Sequence, residues 1–193
     1  MFLKFKRIRL VNFLSFGDEI IDLNNPGYTI VKGLNINPID NASSNGSGKS
    51  SIWEALSWCL TGETIRGSKD IININSTDGA FVELIFDVDN IEYKIIRSKE
   101  HSIYKTNLRI WINGIDKSGK GIRDSEKLLT EYLPDLTSQL IGSVIILGQG
   151  LPQRFTNNTP SGRKEILEKL SKSDFMIEDL KTRISNRKVN LSK

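Results

Sequence analysis

The feature that most constrains this chain is the run Ser43-Ser44-Asn45-Gly46-Ser47-Gly48-Lys49-Ser50-Ser51, because of what flanks it. Ahead of it, Tyr28 to Val31 follows the turn signal Asn24-Asn25-Pro26-Gly27 and reads as a strand. Behind it, Ile52, Ala55, Leu56, Cys59 and Leu60 recur at the spacing of one helix face. That pattern predicts an amphipathic helix from about Lys49 to Leu60, with Gly62 placed to stop it. Strand, glycine-rich loop, helix is an order with a chemical use. Glycines 46 and 48 let the backbone turn its N–H groups inward as an anion nest, and the helix brings its positive end to the same point. Lys49 can set its ammonium against the outer phosphates of a nucleotide, and the Ser50 hydroxyl is placed for Mg²⁺. The candidate binding residues for ATP and Mg²⁺ are therefore Asn45, Gly46, Ser47, Gly48, Lys49, Ser50 and Ser51. The usual first glycine of such a loop falls at position 43, where this chain has Ser43; Gly33 is the candidate for that glycine, displaced by the insertion Leu34 to Ser43. A polar surface loop that happens to end in Gly-Lys-Ser is the competing reading, and the flanking strand and helix argue against it.

The remaining pattern is α/β. Phe5 to Val11 is a basic strand and Ile20 to Leu23 a second. The middle third reads as a β-meander. Ala80 to Val88 sets Val82, Leu84, Phe86 and Val88 on one face, Asp89-Asn90 turns the chain back through Ile91 to Arg97, and Asn107 to Ile112 ends at the hairpin signal Asn113-Gly114. Arg123 to Leu133 looks helical and stops before Pro134. Ser143 to Leu147 is a β-branched run expected to be a buried strand leading into Gly148-Gln149-Gly150. Thr159 is an N-cap with Pro160 at the first helical position. Beyond it, Ile177, Leu180, Ile184 and Leu191 have seam-like spacing, with Arg187 where a further apolar residue would continue it; the root of a coiled coil and a surface helix both fit. Leu56, Leu60, Ile30, Leu84, Phe86, Ile95 and Ile145 are the expected core.

Composition narrows the class. Hydrophobic residues make up 38% and charged residues 26% of the 193, a folded and non-fibrous profile. No apolar run is long enough to span a membrane, and the N-terminus reads as a basic strand rather than a leader. The lone Cys59 offers no intrachain disulfide and suits a reducing cytoplasm. A formal net charge of +4 leans towards a polyanionic partner without identifying one.

These residues together resemble the N-terminal half of the head of SMC-type DNA-repair ATPases, closest to SbcC and its phage relatives, the ATPase subunits of recombination exonucleases. The resemblance is carried by Asn12-Phe13-Leu14-Ser15-Phe16, the loop Asn45 to Ser51, Glu54-Ala55-Leu56 with Trp58 and Gly62, Leu147-Gly148-Gln149-Gly150, and Arg163 in a helix leading into heptads. It implies a P-loop NTPase fold of the ABC/SMC head type: a mixed sheet, an antiparallel meander and a C-terminal helical arm. Residues 1–160 would form the N-terminal lobe and 161–193 the start of a coiled coil. It implies that Gln149 acts with Lys49 in catalysis, ligating Mg²⁺ and sensing the γ-phosphate; without the resemblance Gln149 reads as a solvated turn amide. Leu14 and Ser15 match the segment beside the adenine, although the family often has arginine where this chain has Leu14, and Asn75 matches another stretch near the nucleotide.

The same resemblance implies partners. Here the sequence has no LSGGQ-like signature, no apolar run ending in Asp-Glu and no switch histidine. In the family those parts come from a C-terminal lobe of the same head, and a second copy of the head closes over ATP. A nuclease subunit, double-stranded DNA and a cytoplasmic setting, bacterial or phage-infected, complete the leading expectation. Alternatives are a structural DNA clamp or tether without a nuclease, and a partial head that only binds nucleotide and partners. Val82 to Asp87 imitates a Walker B strand, but Val88 follows Asp87 and the apolar residues alternate with Glu83 and Asp87, which marks a half-exposed meander strand. His101 sits in a polar stretch and reads as a loop residue, and one Cys with one His excludes a zinc cluster. Arg7, Arg9, Lys94, Lys99, Lys105, Arg109, Lys117, Lys120 and Arg123 are the scattered candidates for DNA contact.

Overall fold

A computed structural model describes residues 2–24, 27–34, 47–146, 155–171, 179–185 and 187. The chain forms two compact units, Met1–Ser138 and Gln139–Lys193. In the first, β1 (Leu3–Val11), β2 (Asp18–Asp22), β3 (Ala80–Val88), β4 (Ile91–His101), β5 (Lys105–Ile112) and β6 (Ile115–Asp116) make one sheet in the order β2-β1-β3-β4-β5-β6. Every pairing in it is antiparallel.

The period-two pattern of β3 decides what the sheet faces. Val82, Leu84 and Phe86 register with Leu10, Ile8 and Phe5 on β1, and with Arg97, Ile95 and Tyr93 on β4, so these residues share the inner face. Helix α1 (Lys49–Thr61) lies on that face: Cys59 Sγ sits 3.5 Å from the carbonyl of Val82. Ala55, Leu56 and Cys59 are fully buried, as are Ile8, Leu10, Leu84, Phe86 and Ile95. The expected apolar stripe of α1 is buried, and so are Glu54, Ser57 and Trp58 outside it, which makes α1 a central helix. Glu54 tolerates this because its Oε2 accepts the Ile65 N–H at 2.7 Å and the Arg66 N–H at 3.3 Å. Gly62, left-handed at φ 79°, ends α1 with its N–H on the Trp58 carbonyl. Buried Arg97 donates Nε–H to the Cys59 carbonyl at 3.1 Å and Nη1–H to Glu126 at 2.9 Å, joining the end of α1 to α2 (Ile122–Tyr132).

The meander and both helices fall where expected; three expectations do not hold. Tyr28 to Val31 forms no strand, and Ile30, expected in the core, is 79% exposed. Its β-branched residues have the right propensity, but a strand needs a neighbour for its backbone groups and no described strand pairs with it. Ser143 to Leu147 is not a strand either. After the single turn α3 (Ser138–Leu140), a π-helical turn runs over Ile141–Ile145, closed by the Ile146 N–H on the Ile141 carbonyl at 2.8 Å. An apolar run this short fits helix and strand equally, and Ile145 ends half-buried. Leu147 lies outside the described residues. His101 is not a loop residue: it ends β4, is buried, and its Nδ1 accepts the Ile103 and Tyr104 N–H groups at 3.2 and 3.3 Å. The ring packs edge-on against Phe81, a contact its polar sequence neighbours do not announce.

In the second unit, α4 (Pro160–Ser171) opens as its sequence dictates, with Thr159 Oγ1 accepting the Gly162 N–H at 3.1 Å. Arg163 lies exposed on it. Residues 179–185 are helical, Leu180 and Ile184 are more than half exposed, and Asp179 pairs with Arg183 at 2.8 Å. Ile177 and Leu191 lie outside the described residues.

Two measurements test this packing. Burial pushes the Cys59 thiol from its ordinary 9.0 up to about 12. Cys59 is therefore expected to resist thiol reagents at pH 8 until the chain is unfolded. Because the folded value lies above the unfolded one, its contribution to stability holds below pH 9 and is lost as pH rises towards 12, which pH-dependent unfolding would register. Gly79 has no room for a side chain, since a Cβ there would collide with the backbone of Lys99 and Glu100. Gly79→Ala should lower the unfolding midpoint by roughly 4–8 °C, against little change for Gly17→Ala, which faces open space.

Candidate functional site

The site is built where α1 begins. Gly48 adopts φ 80°, a left-handed conformation that releases the chain from the loop into the helix, and no side chain caps the helix there. The first turn of α1 carries no acidic residue, so nothing offsets the positive end of the helix dipole. Lys49 folds back over this turn, its ammonium 3.1 Å from Ser47 Oγ.

Two glycines are fitted to the loop from outside. A Cβ on Gly33 would stand 2.7 Å from Ser47 Cβ and 2.9 Å from Lys49 Nζ, and closer still to Ser47 Oγ. A Cβ on Gly48 would strike Ser15 Oγ and come within 3.3 Å of Ser15 Cβ. Gly33 thus lies directly against the lysine side of the loop, where the displaced first glycine was expected. On the other flank, Ser15 Oγ donates to Ser51 Oγ at 3.3 Å. One ammonium and several hydroxyls gather at the start of α1, a donor set that fits a polyphosphate.

The Ser15 loop, residues 12–17, is held in an unusual shape. Asn12 and Leu14 both have positive φ, 51° and 49°. Leu14 N–H reaches the Ile71 carbonyl at 2.7 Å, Asn73 N–H reaches the Asn12 carbonyl at 2.8 Å, and Phe13 bridges to Ile72. Fully buried Phe13 packs its ring 5.4 Å from that of Trp58 on α1. Leu14 is half-buried and Ser15 exposed.

Of the expected site residues, Ser47, Gly48, Lys49, Ser50, Ser51, Leu14 and Ser15 gather around this loop. Asn75 is exposed; its N–H is held by Asn73 Oδ1 at 2.8 Å, within the segment that anchors the Ser15 loop. Asn45, Gly46 and Gln149 lie outside the described residues. Asn12 and Asn73, which fix the Ser15 loop, went unnoticed as site residues; the signal was an asparagine at the end of β1, a residue type that tolerates positive φ.

A cavity of about 300 Å³ lies elsewhere, lined by Leu60, Arg97, Glu126, Leu129 and Leu133 among others. None of its lining residues belongs to the loop at α1, and two carboxylates, Glu63 and Glu126, disfavour phosphate there. Three of the candidate DNA-contact residues, Arg7, Arg9 and Lys94, are held in ion pairs. Arg7, Arg9, Lys94 and Arg109 share the outer sheet face by register, but Arg7 and Lys94 both pair with Glu83, at 3.3 and 2.8 Å. Arg9 pairs with Asp18 at 2.8 Å, and this hydrogen bond holds the Asp18 carboxyl below its usual range. Among the described residues no group of His, Cys, Asp and Glu could hold a metal ion, and no helix is long and apolar enough to cross a membrane.

Helix, glycine-flanked loop and sheet are those of the N-terminal region of an SMC-type head. The chain belongs to the AAA domain family, whose model matches residues 7–193. It is 30% identical over 165 residues to the DNA double-strand break repair Rad50 ATPase of Methanocaldococcus jannaschii, covering 86% of this chain and 15% of that protein. It is 25% identical over 171 residues to Exonuclease subunit 2 of Enterobacteria phage T4, covering 86% of this chain and 28% of that one. A solved structure from a study of ATP-driven dimerization and DNA-stimulated activation of SMC ATPases shares the fold, with a TM-score of 0.52, 21% identity, and coverage of 86% of this chain and 99% of that one. These likenesses place the chain with the N-terminal region of SMC-like ABC-type ATPases, a family of ATPases tied to DNA repair or chromosomes. The chain spans less than a third of the length of the Rad50 and phage relatives.

Gly33→Ala should weaken Mg·ATP binding by at least about tenfold, because its Cβ occupies the space of Ser47 and displaces Lys49. Equilibrium titration with a fluorescent ATP analogue checks this; unchanged affinity would place the phosphates elsewhere.

Proposed function

We propose that this chain is the N-terminal, nucleotide-binding lobe of an ATPase head that works on DNA in double-strand-break repair or recombination. The observation that carries the reading is the Lys49 ammonium gathered with the Ser47, Ser15 and Ser51 hydroxyls at the start of a helix whose first turn has no acidic residue. Lys49 would hold the outer phosphates and the Ser50 hydroxyl would ligate Mg²⁺, together with Gln149. Asn45, Gly46, Ser47, Gly48 and Ser51 would offer backbone and hydroxyl donors, while Leu14, Ser15 and Asn75 would flank the nucleoside. ATP supplies the binding energy and the phosphoryl group; the protein contributes positioning and electrostatics.

A second observation bears on the rest of the head. Ile30 and Leu34 are both 79% exposed on the segment that leads to the loop at α1, with Tyr28 fully exposed. Apolar residues in an extended segment beside a functional loop call for a covering element. We assign that role to the C-terminal lobe of the same head, which would also bring the carboxylates needed for hydrolysis. Residues 1–160 would then be lobe, and 161–193 the root of a coiled coil whose seam includes Leu180 and Ile184. A second copy of the head would close over ATP in the cytoplasm, with double-stranded DNA and a nuclease subunit as partners. The names of the Rad50 and phage exonuclease relatives favour this reading.

The alternative is a clamp or tether without a nuclease. It is favoured by 25% identity over 201 residues to the Chromosome partition protein Smc of Fusobacterium nucleatum, covering 97% of this chain and 16% of that one. Both readings use the same nucleotide site and differ in whether a nuclease subunit binds.

Mg·ATP turnover should be measured for the chain alone and mixed with the polypeptide carrying the C-terminal lobe. Turnover is expected only in the mixture, and Lys49→Ala should lower it by at least about a hundredfold. Robust turnover by the chain alone would contradict the split head. Nuclease activity recruited to the mixture separates repair from tether.

A further inference from the structure

The site's least explained feature is the shape of residues 12–17, which two non-glycine residues hold at positive φ. Such strain persists only where the surroundings over-determine it. Here they do, and one side chain stands at the centre. Asn73 donates its backbone N–H to the Asn12 carbonyl at 2.8 Å and its Nδ2–H to the Phe16 carbonyl at 3.2 Å, gripping the loop at both ends. Its Oδ1 accepts the Asn75 N–H at 2.8 Å, and its carbonyl accepts the Ser76 N–H at 2.9 Å, so Asn73 is itself fixed in a tight turn. A second amide braces the same loop, with Asn12 Nδ2 donating to the Gly79 carbonyl at 3.1 Å. What the loop delivers is Ser15, whose hydroxyl meets Ser51 and whose Cβ lies against Gly48.

The two flanks of the site then have different tasks. The Gly33 flank carries the Lys49 ammonium and so marks the end of the outer phosphates. The Ser15 flank meets Gly48 and Ser51, and in the function proposed above it is the side that flanks the nucleoside. Main-chain groups in a free loop would be solvated and mobile; here Asn12, Leu14 and Phe16 all have their N–H groups taken. The loop is preformed for a ligand rather than shaped by it, which lowers the ordering cost of binding.

We propose that Asn73 is a positioning residue for the nucleotide: by clamping the Asn12 and Phe16 carbonyls it holds Ser15 against Gly48 and Ser51 and so preforms the nucleoside side of the site. This rests on the phosphate-site reading above. Asn73 touches no ligand in this scheme and acts only through the loop.

Asn73→Asp is the informative variant, because it keeps the Oδ1 acceptor for Asn75 while removing the Nδ2 donor to Phe16. Asn12→Gly keeps the positive φ and removes the brace to Gly79. Each is titrated with Mg·ATP and with inorganic tripolyphosphate, beside wild type and Lys49→Ala, and each unfolding midpoint is recorded without ligand. Asn73→Asp and Asn12→Gly are expected to weaken ATP by about tenfold and tripolyphosphate by less than about twofold, with midpoints near wild type. In the Asn73→Asp/Ser15→Ala double variant the losses should not add, since both act through Ser15. ATP affinity within about twofold of wild type in both variants overturns the proposal alone, and so does an equal loss for ATP and tripolyphosphate, which marks a merely structural role. Wild type binding neither compound, or Lys49→Ala binding both unchanged, overturns the phosphate-site reading and this proposal with it.

Discussion

Everything in this structure depends on α1 doing two things at once. Its middle and end are core: Ala55, Leu56 and Cys59 are fully buried on the sheet, and Arg97 ties the Cys59 carbonyl to Glu126. Its first turn begins at a left-handed glycine with no capping side chain and no acidic residue, which suits it to an anion. Burial of one end fixes the position of the other. Gly33 approaches that first turn closely, against Ser47 and Lys49. A methyl group at Gly33 or Gly48 would therefore be felt by the ammonium or by Ser15.

Helix α1 and the meander were legible because their signals are local. The apolar spacing of Ile52 to Leu60, the left-handed stop at Gly62 and the alternation of Val82 to Val88 each name a face, and each face is buried. The cap at Thr159 was legible for the same reason. Tyr28 to Val31 was misread because strand propensity says nothing about whether a pairing neighbour exists. Ser143 to Leu147 was misread because a short apolar run has no period. Asn12 and Asn73 were hidden because their tasks are hydrogen bonds to segments remote in sequence, Gly79 and Phe16, and His101 because a polar stretch does not announce a buried ring. Within the candidate site, the order of Gly48, Lys49 and the serines and the displaced Gly33 were all named from the sequence, and the fold adds how close Gly33 lies to Ser47.

The electrostatics of the lobe are local as well. The outer sheet face gathers arginines and lysines, and it matches them with Glu83, Asp18, Asp87 and Glu92, so Lys6 alone meets two carboxylates at 2.8 Å each. Such a lattice contributes little to stability per pair, since the groups are partly exposed and screened by salt. It neutralises Arg7, Arg9 and Lys94 on that face. The net charge of +4 is thus a poor guide to where DNA lies on a complete head.

The proposed site sets the nucleotide's phosphates at the start of α1, beside the Lys49 ammonium. The most direct test is a ¹⁵N-resolved NMR titration of the chain with Mg·ATP. The account predicts saturable amide shifts concentrated at Gly33, Ser47 to Ser51 and Asn12 to Gly17, with the β5–β6 hairpin unmoved. Shifts centred on the cavity lined by Arg97 and Glu126, with Gly33 and Lys49 unmoved, would contradict it.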